Sequence, residues 1–133
     1  MATLVDTNVL LDIVLEDDEW LAWSSAAVAD AARRGSIVIN PIIYAEVSGA
    51  YEDIETMDRA LPADYYVREP LPWDAAFLAG RAYVAYRRRG GVRRSPLPDF
   101  YIGAHAAVAG HTLLTRDPGR YRAYFPKLRI IAP

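Results

Sequence analysis

The sequence predicts an α/β domain in which a parallel β-sheet carries α-helices on both faces. Three observations support this fold class: strand-like segments are short and apolar, helical segments alternate with them, and helix start and stop residues stand at the boundaries. Short apolar strands alternating with helices are typical of parallel sheets buried on both sides. Because 133 residues suit one domain and no linker or repeat interrupts the chain, we expect residues 1–133 to form a single domain.

Two strands are predicted in the first half of the chain, at residues 3–5 and 36–39, each a run of mainly apolar residues. Helices are predicted over 8–15, from about 18 to 34, from 41 onward and over 53–61. The third of these helices has the clearest start, because Asn40 is a favoured N-cap and Pro41 suits the first helical position.

The second half of the chain repeats the alternation. A strand is predicted at 65–68, and its pairing is left open by the sequence. A long helix is predicted to start at Pro72-Trp73-Asp74, to run through 75–89 and to end at Gly90, and a loop leads to a helix over 99–109 that Gly110 closes. Strands are predicted to follow at 112–115 and 128–131.

Composition excludes several classes of protein. The chain has no cysteine, which excludes disulfides, zinc–thiolate sites and thiol nucleophiles. The N-terminal apolar run has no basic segment before it and acids directly after it, so it is a poor signal peptide. No apolar stretch approaches the roughly 20 residues that a membrane-spanning helix needs. We therefore expect a cytoplasmic protein.

Four acidic residues are predicted to meet at the carboxyl edge of the sheet, where parallel sheets bind ligands. Asp6 ends the first strand, Glu46 lies on the helix after the second, Asp99 opens a helix, and Asp117 follows the strand at 112–115. Other roles stay open, since Asp6 and Asp117 suit turns and Asp99 could cap its helix. Glu46 is harder to explain in this way, because its apolar neighbours predict burial and a buried unpaired carboxylate is costly.

A divalent cation would explain why such carboxylates gather. Carboxylates at one edge repel one another, and some would need raised pKa values. A bound Mg²⁺ or Mn²⁺ removes the conflict, because hard cations prefer oxygen ligands. Such an ion can polarise a phosphodiester and lower the pKa of an attacking water. The four acids therefore indicate a small metal-dependent nuclease.

The segments that carry the acids resemble the four acidic motifs of PIN domains. They are LVDTNVLLD at 4–12, YAEV at 44–47, LPDFYIGAHA at 97–106 and LTRD at 114–117. They occur in the order and at the intervals typical of that family, and the resemblance covers essentially the whole chain. Single-domain bacterial PIN proteins of this size are similar to VapC toxins of type II toxin–antitoxin modules.

The resemblance implies a function and a set of site residues. It implies a Mg²⁺- or Mn²⁺-dependent endoribonuclease that is usually a homodimer and is held inactive by a VapB-like antitoxin. It also implies that the four acids are metal ligands or support them, and that Asn8 and Thr115 line the site. The sequence shows no departure from the family pattern at these six positions, which are Asp6, Asn8, Glu46, Asp99, Thr115 and Asp117.

An arginine-rich segment precedes Asp99 and supplies positive charge in a chain whose net charge is -2. It contains Arg87, Arg88, Arg89, Arg93 and Arg94. The first three could simply complement the dipole of the helix that they end. We favour RNA binding, because arginine pairs well with phosphate and the segment lies close in sequence to a predicted catalytic acid.

We expect the remaining histidines and aromatic residues to lie outside the catalytic site. His105 is six residues past Asp99, off the same helical face, so we expect a packed or surface histidine and not a general base. His111 receives no role, and Asp12 is a weak candidate for the edge of the site. Core packing is favoured over a partner-facing or dimer surface for a set of four aromatic residues, which are Trp20, Trp23, Tyr44 and Tyr51.

Rival functions fit less well. A phosphatase with an aspartate nucleophile after the first strand would want a second aspartate where Asn8 stands, and a suitable lysine, whereas Lys127 is the only lysine. A receiver domain fails for similar reasons, and glycine-rich nucleotide-binding loops are absent. The remaining alternative is a PIN fold that only binds RNA or protein, against which the four intact acids argue.

Overall fold

A computed structural model describes residues 1–133 and contains one five-stranded sheet. All strand pairs are parallel, and the strand order is β3-β2-β1-β4-β5. The strands are β1 (Thr3–Val5), β2 (Ile37–Ile39), β3 (Tyr66–Arg68), β4 (Thr112–Leu114) and β5 (Ile130–Ile131). The predicted fold class is therefore confirmed, and the strand whose pairing was open, β3, pairs with β2.

Seven helices connect and cover these strands. They are α1 (Thr7–Val14), α2 (Leu21–Arg34), α3 (Pro41–Ser48), α4 (Ile54–Ala60), α5 (Trp73–Arg88), α6 (Pro98–Ala109) and α7 (Gly119–Tyr124). Every residue of β1, β2 and β4 is buried, and successive strand residues face opposite sides, so the sheet is covered on both faces. None of the helices is both long and apolar enough to span a membrane.

The start of one helix and the presence of another differ from the sequence prediction. α2 begins at Leu21, because the side chain of Asp17 accepts hydrogen bonds from the backbone N–H groups of Glu19 and Trp20 and holds this segment in a turn. α7 was not predicted at all, since it has only six residues and begins within a Pro-Gly pair that is typical of a turn.

A single apolar core contains 25 buried residues drawn from the strands and from the helix faces that cover them. The half-buried aromatic rings of Trp23, Tyr44 and Tyr51 pack against this core, as the sequence favoured, and Trp20 makes an edge contact with Trp23. The most exposed large apolar side chains lie elsewhere: Trp73 (90% exposed) and Phe77 (70% exposed) on α5, and Val92 (81% exposed) in the loop after it.

The strand order fixes where a ligand can bind. The chain runs outward from β1 to β2 and β3, and it returns to the other side of β1 with β4 and β5. Connections therefore leave β1 and β4 in opposite directions, and a crevice opens between the carboxyl ends of these two strands. Asp6 and Thr115 directly follow these ends, and the Asp6 N–H donates to the Leu114 carbonyl at 2.8 Å.

Candidate metal centre

Asp6 lies at the centre of a hydrogen-bond network in this crevice. It is 5% exposed and caps α1, with Oδ1 accepting from the backbone N–H of Thr7 at 2.7 Å. Oδ2 accepts from the hydroxyls of Thr115 at 2.8 Å and Tyr121 at 2.9 Å. Asn8 lies nearby, its amide nitrogen 3.5 Å from Oδ2. Oδ1 of Asp6 thus satisfies a backbone donor, as the turn interpretation expected, while Oδ2 accepts hydrogen bonds at the centre of the crevice.

Burial shifts the acidity of Asp6. Loss of hydration, with a smaller contribution from the charge of Asp99, raises the pKa of Asp6 to about 6 in spite of hydrogen bonds that favour the carboxylate. At neutral pH the carboxylate is therefore ionised at a cost to the folded protein. A cation in the crevice would remove that cost.

Asp99 lies beside Asp6 at the start of α6. Its Oδ1 is 3.4 Å from the Tyr121 hydroxyl, and its Oδ2 is 3.6 Å from the guanidinium of Arg120. Burial, together with the charge of Asp117, raises the pKa of Asp99, although Arg120 and Tyr121 act against this shift. The helix-cap interpretation of Asp99 is wrong, because the N-cap is Leu97 and no side chain caps α6.

Glu46 reaches the same crevice from α3. The expectation that it is buried is wrong, since it lies on the exposed side of the helix. It is held instead by the Thr7 hydroxyl, which donates to Oε1 at 2.6 Å. Thr7 and Glu46 follow different strands, so this bond ties the start of α1 to α3 across the crevice.

Asp117 completes the set from the loop after β4. Its side chain is exposed, and its backbone N–H donates to the Thr115 hydroxyl at 3.1 Å. A cavity of about 250 Å³ is lined by Asp6, Thr7, Asn8, Leu11, Glu46, Asp99 and Asp117. The four acids that the sequence singled out therefore share one cavity, with Asn8 in its wall and Thr115 bonded to its central carboxylate.

The donor set of this cavity fits a hard divalent cation. Its charged atoms are carboxylate oxygens, and no cysteine or histidine lines it. Mg²⁺ and Mn²⁺ prefer such ligands, whereas softer metals favour sulfur and imidazole. The open mouth also leaves room for the waters and substrate oxygens with which Mg²⁺ completes its coordination.

Three residues of this site were missed at the level of sequence. Thr7 was hidden because its role is to hold Glu46, which is distant in sequence. Arg120 and Tyr121 were missed together with α7, the helix that carries them. Burial and the nearby charges of Asp6 and Asp99 raise the pKa of Tyr121 far above its usual value, so it remains a hydrogen-bond donor.

The arginine-rich segment is exposed, but its members differ. The Arg87 guanidinium donates to the carbonyls of Gly91 and Arg93 and so orders the loop. Arg89 lies over the ring of Tyr124, 4.8 Å from its centroid. The remaining members, Arg88, Arg93 and Arg94, make no side-chain ion pair.

Asp12, the weak candidate for the site's edge, supports a neighbour instead. It is buried, and its two oxygens accept from Nε and Nη2 of Arg116 at 2.6 and 3.1 Å. The Ser24 hydroxyl also donates to it at 2.7 Å, and the guanidinium lies over the ring of Trp20. This bidentate pair fixes the backbone just before Asp117.

A second polar cluster contains Glu69, His105 and His111. Nε2 of each imidazole lies close to Oε1 of Glu69, at 3.1 Å for His105 and 2.8 Å for His111. Asn40 uses its side-chain oxygen to cap α3 at Ile43, so its NH₂ group faces Nδ1 of His105 at 3.0 Å.

This contact decides the chemistry of the cluster. Nδ1 of His105 must accept from Asn40, so the ring proton lies on Nε2 and points to Glu69. A metal ligand needs a lone pair at Nε2 and a donor at Nδ1, which is the opposite arrangement. The cluster is therefore a hydrogen-bonded tie, and His105 is packed, which is one of the two positions that the sequence left open. Burial also lowers the pKa of His105, in agreement with a neutral ring, although the bond to Glu69 acts against that shift.

Comparison with known proteins adds a family and a set of similar folds. The PIN domain family model matches residues 3–126. VapBC2 from Rickettsia felis, solved bound to a DNA fragment from its promoter, is similar with 17% identity and a TM-score of 0.76 over 100% of this chain and 99% of that chain. VapBC-1 from nontypeable Haemophilus influenzae is similar with 16% identity and a TM-score of 0.73, over 99% of this chain and 98% of that chain.

A toxin–antitoxin complex from Klebsiella pneumoniae is also similar, with 21% identity and a TM-score of 0.69 over 97% of this chain and 95% of that chain. At these identities the structural likeness shows the fold alone. No curated protein matches the sequence significantly.

Proposed function

Because the chain belongs to the PIN domain family, we propose that it is a metal-dependent endoribonuclease and the VapC-like toxin of a type II toxin–antitoxin module. The observation that carries this proposal is the cavity shared by four acids from separate parts of the chain, which are Asp6, Glu46, Asp99 and Asp117. A fold used only for binding would have no physical reason to hold these like charges together.

Mg²⁺ or Mn²⁺ would be held by these acids. When bound, such an ion polarises a phosphodiester and lowers the pKa of the attacking water. The residues of the chain prepare the site for it. The hydroxyls of Thr115 and Tyr121 orient Oδ2 of Asp6, and the Thr7 hydroxyl orients Glu46. Arg120, half-exposed beside Asp99, provides positive charge at the mouth for a substrate phosphate.

Cleavage of a mixed cellular RNA pool tests the activity. The purified protein is incubated with Mg²⁺, with Mn²⁺ or with EDTA, beside Asp6→Asn and Asp99→Asn. We expect discrete products that need the metal and that vanish in both variants. Asp30→Asn is the matched control, because Asp30 is an exposed acid on α2 that pairs only with arginines of its own helix. Full activity in Asp6→Asn or Asp99→Asn would overturn the metal-site assignment.

RNA binding by the arginine-rich segment is tested through its salt dependence. Binding is measured in the Asp99→Asn background, so that no cleavage occurs. Because each phosphate contact to a single strand contributes about 0.7 to the slope of log affinity against log salt, replacing Arg93 and Arg94 by alanine should flatten that slope by about 1.4. Alanine at Arg33 and Arg34, which pair with Asp30, should leave the slope unchanged. If all variants show equal slopes, Arg93 and Arg94 do not contact RNA and have a structural role.

An antitoxin partner and a homodimer complete the proposal. The similar structure from Klebsiella pneumoniae is a toxin–antitoxin complex, which supports an antitoxin partner. We expect the product of the gene adjacent to this one to co-purify with the chain and to suppress its cleavage of RNA. Light scattering of the isolated toxin should give twice the chain mass. Cleavage that continues in a stable complex would contradict the inhibitory role.

A folded protein that is free of any partner and cleaves no RNA with either metal would favour the alternative, a PIN-fold module that only binds RNA or protein.

A further inference from the structure

We propose that the Tyr121 hydroxyl is a positioning group that sets the orientation and spacing of the Asp6 and Asp99 carboxylates for the cation. This inference rests on the proposed function of the same site. The Tyr121 hydroxyl bonds to the acids but Tyr121 does not line the cavity, so it acts through the acids.

The contacts of the hydroxyl place it between the two acids. It lies 2.9 Å from Oδ2 of Asp6 and 3.4 Å from Oδ1 of Asp99. A phenol has one proton, which the hydroxyl shares between the two acceptors, with the shorter bond to Asp6 and the longer one to Asp99. Tyr121 is 1% exposed, which leaves the hydroxyl little competition from bulk water.

The ring of Tyr121 is fixed by the helix that carries Asp99. Gly103 lies one turn after Asp99 on α6, and a Cβ atom there would come within 3.0 Å of the Tyr121 ring and 2.5 Å of the Phe125 ring. The absence of a side chain at 103 therefore lets the ring of Tyr121 rest directly on α6. As a result, one helix sets the position of both Asp99 and the hydroxyl beside it.

The remaining contacts of Asp6 show what the hydroxyl adds. Oδ1 is held by the backbone N–H of Thr7, and Oδ2 is also held by the Thr115 hydroxyl. Those two bonds come from the ends of β1 and β4 and would persist without Tyr121. Only Tyr121 contacts both Asp6 and Asp99, so its loss would uncouple α6 from the carboxyl end of β1.

Direct metal titration of Tyr121→Phe tests the inference. This variant keeps the ring in its place over Gly103 and removes only the hydroxyl. The metal-free protein is titrated with Mn²⁺ by calorimetry, and we expect the affinity to fall about tenfold to a hundredfold, as is typical when a partner of a metal ligand is lost. Tyr124→Phe is the matched control, because Tyr124 lies on the same helix and its ring packs on Phe100 away from the acids.

Cleavage kinetics give a second readout that a merely structural role would not reproduce. In Tyr121→Phe, saturating Mn²⁺ should restore most of kcat, while the Mn²⁺ concentration for half-maximal rate rises with the calorimetric Kd. Melting temperatures in EDTA verify that both phenylalanine variants are folded.

The outcomes separate this inference from the proposed function. If the wild-type protein and Tyr121→Phe bind Mn²⁺ equally well, the positioning role is overturned and the metal site stands. If the folded wild-type protein binds no Mn²⁺, the metal site and the positioning role both fail. A loss of cleavage in Tyr121→Phe that Mn²⁺ does not restore, with unchanged affinity, would also overturn the positioning role.

Discussion

The hydroxyl of Thr7 donates a hydrogen bond of 2.6 Å to Oε1 of Glu46, across 39 positions of sequence. Glu46 lies on the exposed side of α3, where a free carboxylate would sample several rotamers. The bond from Thr7, the first residue of α1, restricts that freedom and directs the carboxylate toward the crevice in which Asp6 lies. The position of Glu46 therefore depends on the junction between β1 and α1.

Thr7→Val should weaken the site without unfolding the protein. Valine matches threonine in shape but has no hydroxyl, so Glu46 loses its tether. We expect the metal-dependent cleavage rate to fall about tenfold, the size typical for partners of metal ligands. Thr112→Val is the control, because Thr112 is also buried but its hydroxyl contacts only the sulfur of Met1. Equal rates in the two variants would show that Thr7 does not position Glu46.

Asp6→Asn should stabilise the metal-free protein at neutral pH. The pKa of Asp6 is about 6 in the folded protein against an ordinary value of 3.8, so the folded state binds the proton more tightly than the unfolded state. Stability therefore falls as pH rises from about 4 to 6, and the full cost, about 3 kcal/mol, is present above that range. Asparagine removes this charge.

Thermal denaturation in EDTA measures this effect for wild type and Asp6→Asn. At pH 7.5 the variant should melt at the higher temperature, and the difference should shrink toward pH 4, where Asp6 is protonated in the folded state. A variant that is less stable at pH 7.5 by an amount independent of pH would contradict the prediction.

Glycine-to-alanine changes at two helical positions should have opposite signs. At Gly103 the added methyl group meets the rings of Tyr121 and Phe125, and such overpacking costs about 1–3 kcal/mol. At Gly80, on α5, nothing lies within 4 Å of the added Cβ, so alanine should stabilise the helix by up to about 1 kcal/mol. Urea denaturation of both variants measures the free energies of unfolding. A neutral Gly103→Ala would mean that the rings do not rest on α6.

Asn40→Asp should change the protonation of His105. A carboxylate can still cap α3 at Ile43, but its second oxygen would accept from Nδ1 of His105, where the wild-type amide donates. The ring would then donate from both nitrogens, to residue 40 and to Glu69, which favours imidazolium. We expect the pKa of His105, which burial lowers in the wild type, to rise.

An NMR titration of the His105 ring protons measures that shift. Asn40→Ala provides the comparison, because it removes both the cap and the contact, and it should destabilise the fold by about 1–2 kcal/mol without raising the pKa of His105. An unchanged pKa of His105 in Asn40→Asp would show that the Asn40 amide does not set the tautomer.

Much of the fold was predictable because its signals are local. The buried strands are mainly apolar on both faces. The start of α3 is marked by Asn40, whose side chain caps the helix, and by Pro41 at its first position. The short helix α7 was not predictable from local signals, because Pro118 and Gly119 are typical of a turn. It packs on α6, where the ring of Tyr121 lies over Gly103, a contact between segments distant in sequence.

By itself, the sequence determined the fold class, the family resemblance and the identity of four acids, because strand ends and motif residues are local properties of the chain. Only the tertiary structure decided how those acids are held. The bond from Thr7 to Glu46, the bridge of Tyr121 between Asp6 and Asp99, and the tie of His105 to Asn40 each join distant segments. Such contacts depend on distances of a few ångströms that only the packing of helices on the sheet can set.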